Sequence, residues 1–313
     1  MVVALCALNP LTSALGQPSS KPIRLVVPFP PGGGTDIVAR HLAQQIGASL
    51  GTSVVVENRP GGAGMIGAGA VARAEPDGNT LLITVGSPIV VNPAVFKKMP
   101  YDPEKDLEPV AEVSSMPVAI AVPVAFPANN LAEFARQVKG KGGSFASTGL
   151  GSASHILGEA VNRKLGLELV HVPYQGSAPA VTAVLGSHST AVFADMASIT
   201  SQVDGGKLKV LGVTGPQRGT TRPRMPTFEE QGVPNLRSTW IGVFAPAGTP
   251  KAVVDRLSKA VQDAVRSREV SEVIVRGGMD PTGTEGAALG RRLQGDIANW
   301  KELVRSIGGV SLD

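Results

Sequence analysis

Apolar positions along this chain alternate between short β-branched runs and stripes that recur every four residues, a pattern that predicts an α/β protein. At 23–27, Ile23, Leu25, Val26 and Val27 form a run with the length and composition of a buried parallel strand, and Pro28, Pro30 and Pro31 stop it. Val38, Leu42 and Ile46 then recur at helical spacing with Ile37 beside them, and Gly51 is placed to end that helix. Further strands are expected at 53–57 and 80–85, and the segment 90–106 reads as loop. An apolar stretch at 116–126, broken by Pro117 and Pro123, reads as a strand crossing between two lobes. A second unit follows: a helix at 131–138, strands at 145–147, 167–172 and 190–194, a helix carrying Ile156, Leu157, Ala160, Val161 and Leu165, and another at 178–185. After a strand at 208–214 comes a polar, proline-rich connection, 216–234, with a short helix near Phe228. Residues 240–245 read as the return crossing, and helices at 252–266 and 285–305 as scaffold. Two α/β units joined by two crossings predict a two-lobed architecture with discontinuous domains.

The two units share one device, a strand that runs through a glycine-rich turn into a helix. In the first, Phe29 and Pro30 lead to Gly32, Gly33 and Gly34, which permit positive φ and close backbone approach, and Thr35 and Asp36 are N-cap candidates. In the second, Thr148, Gly149, Gly151 and Ser152 precede a helix whose first turn holds His155. Helix-start N–H groups and hydroxyls of this kind suit an anion such as a carboxylate, although packing and simple capping by Ser152 or Ser154 account for the local sequence equally well. No Lys and Ser/Thr pair follows Gly34, so the first turn is not a P-loop. Residues 62–67 match GxGxxG, but four residues separate them from the strand and no ribose-binding acid ends the next one; close helix–sheet packing explains them better. Ser87 and Asp195 stand at carboxyl ends of strands, where ligands of open α/β sheets bind; Asp195 equally suits capping of the next helix. Arg59 serves either to attract an acid or as a structural ion-pair residue.

Composition narrows the classes. Gly and Pro make up about a fifth of the 313 residues and charged residues 17%, which suits a chain of many turns and short elements. The net charge of +4 is scattered rather than gathered, and aromatics are only 4%, so no nucleic-acid partner is expected. There is no GxSxG elbow, and His41, His155, His171 and His188 lack HExxH spacing, so neither an enzyme, a metal site nor a cofactor is expected. At the amino end an apolar run, Val2 to Leu8, precedes Ala14-Leu15-Gly16, the small-residue pattern of a cleaved secretory signal peptide over 1–16. Its removal would take Cys6, the single cysteine, and leave no disulfide. No later apolar stretch is long enough to span a bilayer.

PFPPGGGTDIVAR at 28–40 resembles the opening of the tripartite tricarboxylate receptor family, the Bug or TctC-type solute-binding proteins. VENRPGGAG at 56–64, PDGNTLL at 76–82, STGLGSASH at 147–155 and VPYQGSAPA at 172–180 are similar to the family in the same order. LGVTGPQR, PTFEEQGVP, WIGVFAPAGTP and DIANWKELV continue the resemblance, which spans about 21–304. It implies the type II periplasmic binding fold, with 21–120 plus 243–313 as lobe 1, 121–242 as lobe 2 and a ligand cleft between them. It implies a periplasmic, monomeric receptor that passes a small organic carboxylate to small and large integral membrane transporter subunits. A sensor for a signalling partner and a secreted hydrolase are the competing classes. The expected contacts are Phe29, Pro30, Gly33, Gly34, Asp36, Ser87, Thr148, Gly149, Ser152, His155, Gln175 and Asp195. The sequence departs from the family at 186–190, where GSHST stands in place of the usual Gly-Gly and an acid.

Overall fold

A computed structural model describes residues 21–312. The expected signal peptide lies outside them. The first lobe begins with β1 (Ile23–Val27), α1 (Gly34–Leu50), β2 (Val54–Asn58), α2 (Met65–Ala72), β3 (Thr80–Val85), a short α3 (Asn92–Val95) and β4 (Leu107–Met116). The chain then enters the second lobe: β5 (Val118–Pro123), α4 (Leu131–Val138), β6 (Ser144–Ser147), α5 (Ala153–Lys164), β7 (Val170–Pro173), α6 (Ser177–Leu185), β8 (Ala191–Asp195), α7 (Met196–Asp204) and β9 (Leu208–Val213). It returns through β10 (Thr239–Pro246), α8 (Lys251–Arg266), α9 (Arg268–Arg276), β11 (Asp280–Glu285) and α10 (Gly286–Ser306). The sheets run β11-β4-β10-β3-β1-β2 and β7-β6-β8-β5-β9.

Alternating side chains cover both faces of each sheet. On β1, Leu25 and Val27 pack with Leu42, Ile46, Leu257 and Val261 of α1 and α8, while Val26 joins Ala68, Val71 and Trp240 on the opposite face. In the second sheet Phe145 and Phe193 face α5, and Ala146 and Val192 face α6 and α7. The cluster containing Phe145 is continuous with Trp300 and Ile307 of the first lobe, so apolar packing joins the lobes beside α5 and α10.

The crossings differ from the sequence expectation. The stretch 116–126 is not one strand: Met116 pairs with Thr239 in the first sheet, Val118 pairs with Asp195 in the second, and Pro117 lies between. Proline has no N–H to continue a ladder, so the sheets change there. Residues 240–245 are not a crossing but the middle of β10, an eight-residue strand buried throughout. The return is made by 214–238. There Thr214 Oγ1 accepts from Val118 N at 2.9 Å, and Ser238 Oγ donates to Thr214 O at 2.8 Å, tying the crossings together.

Four further elements were not anticipated: α3 lies within 90–106, which reads as loop, β4 precedes the stretch expected to cross between lobes, and β11 and α9 follow the return. β11 reads DPTGTE, without an apolar period, and exists because β4 offers it an antiparallel edge. α9 does carry the period, in Val270, Val273 and Ile274. Beneath the return crossing, Arg292 of α10 donates to Glu112 at 2.7 Å and to Ser238 O at 3.0 Å, while Trp240 Nε1 donates to Asp296 at 3.0 Å.

Candidate functional site

The first turn is locked by a carboxylate. Gly33, not Thr35 or Asp36, is the N-cap of α1. Asp36 lies in the first helical turn, where it is 3% exposed and accepts from Gly32 N at 2.9 Å, Arg40 Nε at 3.0 Å and Asn58 Nδ2 at 2.9 Å. Asn58 also donates to Phe29 O at 3.1 Å, closing the turn onto β2. Burial pushes the Asp36 carboxyl up, but the bonds from Arg40, Gly32 and Asn58 outweigh it and hold it below its ordinary value. Both oxygens are therefore spent on the turn, and what Asp36 leaves to a ligand is geometry: the exposed backbone of Gly33 and Gly34 at a helix start.

The second turn is locked by hydroxyls and imidazoles. Ser152 caps α5 by accepting from His155 N at 3.2 Å and donates to Gly149 O at 2.7 Å. Ser154, only 3% exposed, is its hub: its Oγ accepts from Thr148 N at 3.0 Å and lies 3.0 Å from Thr148 Oγ1 and 2.9 Å from Ser152 Oγ. Gly176 N donates to Thr148 O at 3.2 Å, which places the loop carrying exposed Gln175 alongside. His155 is buried behind the turn rather than presented from it, stacked on His171 with ring centroids 3.9 Å apart. α5 lies close to the sheet because Gly158 has no side chain: a Cβ there would stand 2.3 Å from the Phe145 ring.

The lobes meet where the first turn faces α7. A Cβ on Gly34 would lie 3.5 Å from Ala197 Cβ, and a cavity of about 530 Å³ is lined by Gly32, Gly33 and Gly34 from one lobe and Ser177, Ala178, Ala197 and Ser198 from the other. The starts of α1, α6 and α7 all border it. Asp195 is the N-cap of α7, without a side-chain capping bond, and desolvation pushes its carboxyl up to about 6. Ser87 begins a single π-turn at the carboxyl end of β3, and Phe29 and Pro30 lead into the first turn. Of the expected contacts, only Gly33 and Gly34 line this cavity; Thr148, Gly149, Ser152 and Gln175 gather around the second turn. Sequence reasoning did not single out Ser177, Ala197, Asn58 or His171, and of these only Ser177, opening a helix after Gly176, carried a local signal.

Two arrangements resemble chemistry that they do not support. His155, Glu159 and His171 each bring a donor atom within 4.8 Å of the others, but the imidazoles are face to face, 13° from parallel, so their in-plane lone pairs run side by side instead of converging on an ion. Ser147 Oγ lies 2.7 Å from His171 Nε2, yet Ser147 is fully buried and cannot reach a substrate. The GxGxxG segment is packing: a Cβ on Gly67 would stand 2.8 Å from Pro28 Cβ. Arg59 pairs with Glu57 at 2.5 Å.

Two α/β lobes, two crossings and helix starts facing each other between the lobes define a type II periplasmic solute-binding protein. The model of the tripartite tricarboxylate transporter family receptor matches residues 38–309, and the chain belongs to that family. It is similar to protein BugT of Bordetella pertussis (strain Tohama I), 34% identical over 92% of this chain and 90% of that protein. It is also similar to the solved structure of the periplasmic binding protein BugD, at TM-score 0.81 and 35% identity over 93% of this chain and 99% of that one. MatC from Rhodopseudomonas palustris, solved with bound malate, gives TM-score 0.77 and 30% identity over 90% of this chain and 98% of that one. The family and these neighbours are solute-binding receptors, not enzymes, and Bug-type proteins are periplasmic. Among the described residues no helix is long and apolar enough to cross a membrane.

Proposed function

We propose that this protein is a monomeric receptor, exported by its amino-terminal signal peptide, that captures a small organic carboxylate between its lobes and delivers it to a tripartite tricarboxylate-type membrane transporter. The observation that carries this reading is the convergence of α1, α6 and α7 at one interlobe cavity, with Gly34 and Ala197 almost in contact. Helix starts offer N–H donors and positive dipole ends, which bind a carboxylate without a charged side chain. Neither turn, 29–36 or 147–152, contains Lys or Arg; among the described residues the one guanidinium lining the cavity is that of Arg276. The second turn, which does not line this cavity, adds the Thr148 hydroxyl, the Ser152 proton being given to Gly149 O, and Asp195 meets the distal, hydroxyl-bearing end of the ligand. Each lobe is built on one sheet, with boundaries at Pro117 and within 214–238, and the lobes close as rigid bodies about these crossings. Malate bound to a similar receptor supports a carboxylate of that size.

The test is a thermal-shift panel of di- and tricarboxylates, amino acids and aromatic acids, followed by calorimetry on whichever acid raises the midpoint. A concentration-dependent rise with malate or another dicarboxylate is expected. Silence across all carboxylates would overturn the ligand class. Scattering profiles that stay the same at saturating ligand would overturn lobe closure.

A further inference from the structure

The second turn is held from behind by a titratable pair that ligand capture does not touch. His155 Nδ1 accepts the Gly151 amide at 3.1 Å, and His171, stacked on His155, pairs through Nε2 with Ser147 Oγ at 2.7 Å. The turn from 147 to 151 is thus tied at both ends to imidazoles. Only an unprotonated ring nitrogen can accept an amide; once Nδ1 carries a proton, donor faces donor. Gly151 itself is closely seated, with φ +74° and Leu312 Cδ1 only 2.4 Å from where a Cβ would stand.

We propose that His155 is a positioning residue for ligand capture: in its neutral form it holds the Gly151 amide and with it the donor geometry of Thr148 to Ser152, and its protonation releases the turn and weakens carboxylate binding. The proposal rests on the reading of this turn as part of the ligand site. The titratable groups that face His155 are His171 from β7 and Glu159 from the next turn of α5, whose carboxylate Arg163 and Asn162 attract. β6, reading SFAS, adds Phe145 and Ser147 but nothing that titrates. Burial lowers the pKa of both histidines, and each ring resists a second positive charge beside the first, so the lock is closed at neutral pH and opens on acidification.

The test compares the wild-type protein with His155→Asn, whose side-chain carbonyl can accept the Gly151 amide at the position of Nδ1 but does not titrate. Amide exchange over 148–156 and malate calorimetry are measured from about pH 7.5 to about pH 4.5. Because both proteins meet malate in the same ionisation state at each pH, the ratio of their affinities isolates the histidine. The expected result is that wild type loses about fivefold more Gly151 protection than the variant on acidification, and about fivefold more malate affinity. Parallel loss of protection in the two proteins overturns the lock. Protection that separates them while malate affinity does not overturns the placement of the ligand at this turn, and with it the positioning role. Should the variant not fold, the wild-type Gly151 amide resonance decides the matter: it must follow the titration curve of His155, and independence of the two overturns the proposal.

Discussion

The turn at 29–36 and the turn at 147–155 occupy equivalent places, each after a parallel strand and before a helix, yet they are fastened by different chemistry. In the first lobe the fastener is an ionised carboxylate, Asp36, satisfied by Arg40, Asn58 and the Gly32 amide. In the second it is a set of neutral groups, the Ser152 and Ser154 hydroxyls and the stacked His155 and His171. An ionised lock is strong over the whole range in which the carboxylate keeps its charge; a neutral one fails when a ring nitrogen takes a proton. On the proposed reading, one lobe presents fixed donors to a ligand, and the other presents donors whose position responds to pH.

Disturbing the seat of the second turn is the most damaging way to test the contrast. Gly158→Ala acts there: its methyl meets the Phe145 ring, which has to move together with His171 stacked on it. A cost of about 1–3 kcal/mol is expected. Weakened ligand binding beyond that explained by unfolding would tie the seat to the site. Asp36→Ala leaves the Gly32 amide and two side-chain donors without their acceptor, and a loss of about 1–2 kcal/mol is expected in urea denaturation, discounted because Gly32 is exposed and Arg40 half exposed. A loss well below 1 kcal/mol would show that the first turn does not depend on its carboxylate. Thr148→Val removes one hydroxyl from the second turn alone, and calorimetry should read about tenfold weaker carboxylate binding with folding nearly unchanged. Equal affinity would place the site on the first lobe's side of the cleft.

The smallest effect is the most diagnostic. His171 has its pKa lowered from 6.5 to about 4 by desolvation and by the charge of His155. Below 6.5 the unfolded chain binds the proton first, so the stability contributed by the neutral ring is present above that value and is lost as pH falls toward 4. Asp195 runs the other way: its carboxyl is raised from 3.8 to about 6, so the folded state binds the proton first and acidification through that interval stabilises it. Asp36, lowered below 3.8, loses its contribution only beneath that value. Thermal midpoints across pH should then show a His171-dependent fall between about 6.5 and 4 that His171→Phe abolishes, with Asp195→Asn making the net fall steeper. A slope unchanged by His171→Phe would mean that the second lock does not titrate as its burial demands.

Much of this was legible along the chain. The strand, glycine turn and helix at 23–50 could be read residue by residue, because Leu25, Val27, Val38, Leu42 and Ile46 carry the two periodicities and Pro28 separates them. The same holds for Phe145, the turn at 148–152 and Ile156, Leu157 and Val161. The crossings were only partly legible: Pro117 was visible as a break, but hydrophobicity continues on both sides of it, and nothing local says that Met116 and Val118 pair in different sheets. β11 was not legible, since DPTGTE is a strand only where β4 leaves an edge to pair with.

Two kinds of information can thus be separated. The sequence by itself determined the alternation of strands and helices, the two glycine turns and the presence of Asp36, Thr148, Ser152 and His155 within or beside them, because periodicity, steric freedom and capping act over a few residues. Only the tertiary structure decided that Asp36 spends its carboxylate on Asn58, a residue 22 positions away, and that His155 lies behind its turn against His171. It also decided that Gly34 meets Ala197 across the lobes. Those outcomes depend on which sheet each strand joins and how closely α5 approaches Phe145, and such pairings are set by the burial of whole faces, not by the residues that happen to adjoin along the chain.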